Sequence, residues 1–469
     1  MDGIWTDVLS NTTNTNTNYT GVYGITYYFR ARVSDVAGNV EDWPSEYDTF
    51  TVVDKVNSYL PYVLRGVPTA TPIPCPPVPY NETLRYNMDK INAPEAWPCT
   101  AGGEGVIIAI LDTGVDRDHP DLVANLVGGV TYYGTSTEDD NGHGTHVSGI
   151  AAGVANNGGI FGVAPRAKIM PVKVLDSDGS GFVSVVANGI IWAADHGAKV
   201  INLSMGVTTD YDTLHTAVQY AYNKSVIIIA SAGNCGDNNY EANGCLYQNQ
   251  PSYPGAYPEV IAVAATNASD ARASFSTVGS YVGVSAPGAD IYSSYFGGGY
   301  LTESGTSQAA PHVAGMAALI RKMRPSWTVV QVYAQIRSAV DDVGPVGWDS
   351  GTGWGRINAQ KAVNALILAA IDTLPVPTPV QPVSAPVTSD PDEFSPGVVL
   401  FKLRTGAVLS AVLGDASINS AGLQASMVVA ALGVMRLQVP AGEELYWLKH
   451  LRSLPDVAYA ELDGIMHIQ

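Results

Sequence analysis

The chain has 469 residues, with 43 acidic against 24 basic side chains, a net charge of −19 and 46% apolar residues. That apolar share supplies a sizeable core and the length gives room for about three domains, while the acidity makes nucleic acid a poor partner. No apolar run approaches the ~20 residues of a membrane span.

In chain order, residues 1–56 alternate in β fashion through "TYYFRARVSDVAGNVEDW". Tyr28, Arg30 and Arg32 fall on one face, and "DVAGNV" is a turn between two strands. The opening "MDGIWTDVLSN" has no basic or apolar leader region, so the expectation is a chain that lacks its true start and export signal. Residues 57–83, with "PTATPIPCPPVPY", form a stiff Pro-rich linker. Over 84–371 the apolar runs "GVIIAIL", "KIMPVKVL", "KVINLSM", "SVIIIASAG" and "EVIAVAAT" alternate with helical patterns. Continuous apolar strands between helices predict an α/β fold, a parallel sheet covered by helices on both faces. A second Pro-rich linker spans 372–394, and residues 395–469 mix strand and helix patterns as a small α+β domain.

Four cysteines form two local pairs. Cys235 and Cys245 flank the polar loop "NCGDNNYEANGC", which reads as disulfide-closed, and Cys75 and Cys99 bracket the segment before "GVIIAIL". Four free thiols are the alternative. No CxxC occurs, which argues against a zinc ribbon, and paired cysteines fit an oxidising, secreted or cell-surface setting.

Three motifs carry chemistry. "AILDTGVDRDHPDL" puts Asp112 at the carboxyl end of a buried strand, where open α/β sheets collect ligands. "NGHGTHVSGIAAGV" puts His143 at the mouth of a helix of small residues. "ESGTSQAAPHVAG" sets Ser307 among small residues at the start of another helix, where unpaired N–H groups face developing negative charge. A serine nucleophile needs a base, and the base needs a carboxylate to fix its tautomer. Each motif also has a plain reading. Asp112 is then a strand-end cap or an aspartic-protease carboxylate, though the latter needs a second such motif and usually a hydroxyl residue where Val115 stands. His143 and His146 are then a metal pair, without the glutamate of H-E-x-x-H. Ser307 is then a helix N-cap.

Together the motifs resemble the subtilisin-like serine proteases, the subtilase family, whose triad runs in the order Asp, His, Ser. The resemblance extends from "INAPEAW" to "GTGWGRINAQKAV". It implies a secreted endopeptidase of broad specificity working through an acyl-enzyme. Asp112 orients, His143 is base then acid, Ser307 attacks, and Asn234 of "ASAGN" donates to the oxyanion beside the Ser307 N–H. It also implies an extended polypeptide substrate between Gly179, Ser180, Gly181 and Ser204, Met205, Gly206. Ser252 then sits on the floor of a neutral pocket expected to take large apolar side chains. The family's structural calcium site corresponds to Asp121 with Asn156 and Asn157 in "ANNGGIFGVAP". The main alternative is a non-catalytic surface or adhesion module on the same scaffold; esterase activity is a side reaction of the same triad.

Two shorter resemblances complete the reading. Residues 1–56 resemble the last strands of a fibronectin type III module. Residues 395–469, ending "VAYAELDGIMHIQ", resemble the propeptide or inhibitor domain of subtilases. In the family that domain precedes the protease and leaves its tail in the cleft. Here it follows, and the expectation is self-interaction as a folding aid or inhibitor, in cis or on another copy, with Gln469 nearest Ser307. The alternatives are a plain accessory module or a fragment boundary before a further protease unit.

Overall fold

The apolar runs are the strands of one sheet. In the computed structural model, which describes residues 26–29, 49–52, 85–156, 159–237, 240–363 and 394–469, they form Ile107–Asp112, Lys168–Lys173, Val200–Leu203, Ile227–Ser231 and Ile261–Thr266. Val130–Thr131 lies at one edge; Val282–Pro287, Arg356–Ile357 and Val340–Asp341 extend the other, giving nine strands. All neighbours are parallel except the last pair.

Alternation along a strand sends successive side chains to opposite faces, and both faces are covered. Ile108 and Ile110 pack with Val147, Ile150, Val313 and Leu319 of helices His143–Ala152 and Thr306–Met323. Ala109 and Leu111 pack on the other side with Val186, Ile190, Leu214 and Val218 of helices Val183–Asp195 and Asp212–Asn223. This is the expected α/β fold. Ile107–Asp112 lies between Lys168–Lys173 and Val200–Leu203. The chain reverses its direction across the sheet there, and such a switch point opens a crevice at the carboxyl ends of the strands.

The chain divides into two compact units, Met1–Thr71 and Pro72–Gln469. In the first, Thr26–Phe29 pairs antiparallel with Thr49–Val52, Thr26 opposite Val52. The turn "DVAGNV", Arg30, Arg32 and the 57–83 linker lie outside the described residues, as does the second linker up to 393.

Within the second unit, the C-terminal α+β part begins at Phe394, one residue earlier than expected. Phe394–Leu403 lies between Val434–Gln438 and Val457–Ile468, with Gln424–Val429 outside Val434–Gln438, all antiparallel. Helix Glu444–Ser453 closes its core through Trp447, Leu448 and Leu451 on Val399, Phe401, Leu437 and Leu462. The opposite face presents Val398, Leu400 and Val434 to the helix side of the large sheet. Both faces of this small sheet are therefore buried, one against its own helix and one against the α/β core.

Candidate active site

Asp112 ends its strand with its side chain fully buried. His143 is the first residue of helix His143–Ala152, and its Nδ1 donates to Asp112 Oδ1 at 2.8 Å. Gly144 makes that approach possible: a Cβ there would lie 2.1 Å from the Gly114 carbonyl and 3.1 Å from Asp112 Cβ. Asp139 holds the helix entry, accepting from the N–H groups of Gly142 (2.9 Å) and Thr145 (2.8 Å). Thr113 Oγ1 links the two motifs, donating to Asp139 and accepting from the Gly144 N–H. Burial pushes the His143 imidazole toward its neutral form. The charge and hydrogen bond of Asp112, aided by Glu303 and Asp139, outweigh that and leave its pKa raised. His143 Nε2 is buried and meets no hydrogen-bond partner among the described residues.

Ser307 is the second residue of helix Thr306–Met323 and is fully buried. Its Oγ donates to the Ser204 carbonyl at 2.8 Å and accepts from the Gln469 N–H at 3.0 Å. Pro311 lies one turn further on and has no N–H for the Ser307 carbonyl. Ser204 Oγ donates to that carbonyl instead, at 2.8 Å, which ties the start of the helix to the segment after Val200–Leu203. Asn234 Oδ1 accepts from the Thr306 N–H (3.0 Å) and Thr306 Oγ1 (2.9 Å). The amide oxygen is thereby committed, which leaves the NH2 as the end that donates.

Ser180–Phe182 and Met205–Gly206 flank the end of Val457–Ile468, antiparallel on each side, with Met466 opposite Gly181 and Ile468 opposite Met205. The Gly179 carbonyl accepts from the Ile468 N–H at 3.0 Å, and the Ser307 N–H donates to the Gln469 carbonyl at 3.1 Å. A peptide main chain thus lies as the middle strand of three, with its last carbonyl on the Ser307 amide.

Residues 103–355 match the model of the Subtilase family, more than half of the chain. The chain belongs to the subtilase family. Thermitase of Thermoactinomyces vulgaris is 46% identical over 290 residues, 61% of this chain and 98% of the relative. Subtilisin BL of Lederbergia lenta is 38% identical over 283 residues, 60% of this chain and 99% of the relative. Subtilisin E of Bacillus subtilis (strain 168) is 41% identical over 286 residues, 60% and 72%. This subtilase is a serine endopeptidase acting on polypeptides. Among the described residues no helix is long and apolar enough to cross a membrane.

The other sequence expectations divide. In this subtilase His146 does not converge with His143: its Nε2 donates to the carbonyls of Ile291 (3.1 Å) and Leu301 (3.2 Å). Burial pushes its pKa down to about 3. No group of three His, Cys, Asp or Glu side chains fit for a metal exists among the described residues. Asp121 is buried, with Oδ1 accepting from Asn156 Nδ2 (3.0 Å) and Oδ2 from the Ile160 N–H (3.0 Å) and Tyr300 OH (2.9 Å). Asn157 lies outside the described residues. Cys235 and Cys245 form a disulfide; Cys75, and with it the expected pairing to Cys99, lies outside the described residues.

Sequence reading missed several contributors. Asp139, Thr113 and Thr306 position the groups named above through hydrogen bonds that only the fold creates. Ser231 and Ser252 both touch Gln469 (2.9 and 2.7 Å), and only Ser252 was singled out. The signal for Ser231 was its place three residues before Asn234 in "ASAGN".

Proposed function

We propose that Ser307 is the nucleophile, His143 its general base and then acid, Asp112 the group that orients His143, and Asn234 with the Ser307 N–H the oxyanion donors. The observation that carries this is the His143–Asp112 bond beside a serine whose hydroxyl and amide both hold the last residue of an extended segment. Attack requires Ser307 Oγ to rotate from the Ser204 carbonyl toward His143 Nε2, which takes its proton. His143 then gives that proton to the leaving amine as the peptide bond breaks. Water, deprotonated by the same His143, attacks the acyl-enzyme to release the acid and restore the Ser307 hydroxyl. Only neutral His143 can accept that proton. Because Asp112 holds its pKa raised, kcat/KM should rise with pH through a midpoint above the usual histidine value of 6.5. A pH profile on a short peptide checks this, and a midpoint well below 6.5 would remove His143 as the base.

Gly179, Ser180, Gly181, Ser204, Met205 and Gly206 bind substrate main chain, a role supported by their pairing with the C-terminal strand. Residues 395–469 act as a propeptide-like inhibitor or folding aid, a reading supported by that same pairing and by Gln469 on Ser307. The peptidase domain is taken as 84–371, a reading supported by the family match within it. Secretion is supported by the Cys235–Cys245 disulfide, which persists in oxidising surroundings.

Calcium is the fitting ion for Asp121. Its buried carboxylate faces neutral donors, and Asn156 could turn its amide oxygen inward to join it and loop carbonyls as hard ligands. A bound cation would stabilise only the folded state. Excess chelator should therefore lower the melting temperature, and Asp121→Asn should abolish the difference between chelated and calcium-supplemented protein. Equal melting temperatures for the unmodified chain in both conditions would exclude the site.

A further inference from the structure

The side chain of Gln469 enters a pocket beside Ser307 whose polar groups match a carboxamide. Ser231 Oγ donates to Gln469 Oε1 at 2.9 Å, and Gln469 Nε2 donates to Ser252 Oγ at 2.7 Å. Both serines are fully buried. Ser231 ends the strand Ile227–Ser231, while Ser252 comes from the loop that pairs with Val207 through Tyr253, so separate elements fix the two hydroxyls. Gly206 forms the pocket wall with bare backbone. A Cβ there would lie 2.1 Å from Ser252 Oγ and 2.3 Å from Gln469 Nε2, so a side chain would fill the slot that the flat amide occupies.

Other side chains satisfy this pair less well. Against an apolar side chain, Ser231 Oγ would keep only its long 3.4 Å contact to the Met205 carbonyl. Ser252 Oγ has no other hydrogen bond among those of the described residues. Leaving buried hydroxyls so poorly paired costs about 1–3 kcal/mol each, which offsets what an apolar contact returns. A carboxylate of the same length would carry charge into a site whose contacting groups, Ser231, Ser252 and Gly206, are all neutral. Asparagine is one methylene too short to span both serines.

We infer that this pocket selects a glutamine side chain, so that the protease cuts preferentially on the carboxyl side of glutamine, with Ser231 and Ser252 determining that specificity. The inference rests on the catalytic reading above, since the Ser307 contacts define Gln469 as the residue whose carbonyl is attacked. It differs from the sequence expectation of a pocket for large apolar side chains, and the peptide comparison below decides between them. Ser252 signalled neutrality, but only the facing Ser231 turns that neutrality into a donor and acceptor pair.

The test is kcat/KM of the full chain on peptides identical except for Gln, Met, Glu or Phe before the scissile bond. Every peptide competes with the same C-terminal segment, so the ratios do not depend on how often the cleft is open. Gln should exceed its near-isostere Met by about tenfold or more, since a site built to hydrogen-bond rejects analogues that cannot. Ser231→Ala and Ser252→Ala should each bring the Gln-to-Met ratio toward about one, and Ser252→Thr, which keeps the hydroxyl, should restore part of it. Met or Phe cleaved as well as Gln would overturn the inference and leave the catalytic reading standing. So would serine variants that lower Gln and Met cleavage by the same factor. If no peptide is cut either by the full chain or by a variant carrying Glu461→Arg and Asp463→Arg to loosen the C-terminal segment, the catalytic reading fails and the inference fails with it.

Discussion

Ser307→Ala and His143→Ala should each lower kcat by a factor on the order of 10⁶, with little further loss when combined. The reason is the division of labour at the site. The hydroxyl forms the acyl bond and His143 moves its proton, so removing either removes the step that both perform. What survives is binding between the flanking strands and the oxyanion donors, which by themselves leave a residual of about 10³–10⁴ over water. Ser307→Ala deletes one oxygen that bonds the Ser204 carbonyl and the Gln469 N–H. The helix start remains tied by Ser204 Oγ and by Thr306 on Asn234. The variant should therefore melt within a few degrees of the parent. Active-site titration and steady-state kinetics on one peptide check both points, and a residual rate within tenfold of the parent would refute the assignment.

The second large effect concerns the C-terminal unit. Helices Val183–Asp195 and Asp212–Asn223 begin after Phe182 and Tyr211, neither of which supplies a side-chain cap. Their first N–H groups are satisfied from residues 461 and 463 instead. Glu461 accepts from the N–H groups of Asp212 (2.7 Å) and Thr213 (2.8 Å), and Asp463 accepts from the Ser184 N–H (3.0 Å) and Ser184 Oγ (2.7 Å). Two residues apart on one strand, both carboxyl groups point to the same side. Burial pushes the pKa of the Glu461 carboxyl up to about 8 and raises that of Asp463. Near neutral pH each of the Glu461 bonds therefore contributes about 0.5–1.5 kcal/mol, as a bond to a neutral group does. Arginine at either place would also put positive charge on the positive end of a helix dipole. The double variant Glu461→Arg, Asp463→Arg should thus weaken docking by at least about a hundredfold, and peptide hydrolysis by the full chain should rise as the cleft opens. An unchanged rate, with the 395–469 unit still protected from limited proteolysis, would mean that docking does not depend on these caps.

Much of this was legible in the sequence. Apolar runs such as "GVIIAIL" become strands because burial on both faces selects continuous apolar residues, a local signal. Asp112, His143 and Ser307 each announced themselves by a short motif at the end of an element. The parts that stayed hidden depend on pairs of residues far apart in the chain. Phe182 and Tyr211 make poor caps, and nothing local indicated that Asp463 and Glu461 complete their helices. Nothing local marks Asp139, since its bonds to Thr113, Gly142 and Thr145 exist only once the strand end and helix start are brought together. Ser231 stands three residues before Asn234 in "ASAGN", but its placement across the pocket from Ser252 exists only in the fold. The tail "GIMHIQ" was placed by resemblance, and its register between Ser180–Phe182 and Met205–Gly206 follows from main-chain pairing that carries no residue signature.

The central claim is that Ser307 is an activated nucleophile. Its most direct test is incubation of the folded full chain with a fluorophosphonate probe, followed by peptide mass mapping. The account predicts a single phosphonyl adduct on Ser307, lost in Ser307→Ala, slowed in His143→Ala, and formed faster in the Glu461→Arg, Asp463→Arg variant. A folded protein that leaves Ser307 unmodified, or carries the adduct on another residue, would contradict it and favour a non-catalytic module on a subtilase scaffold.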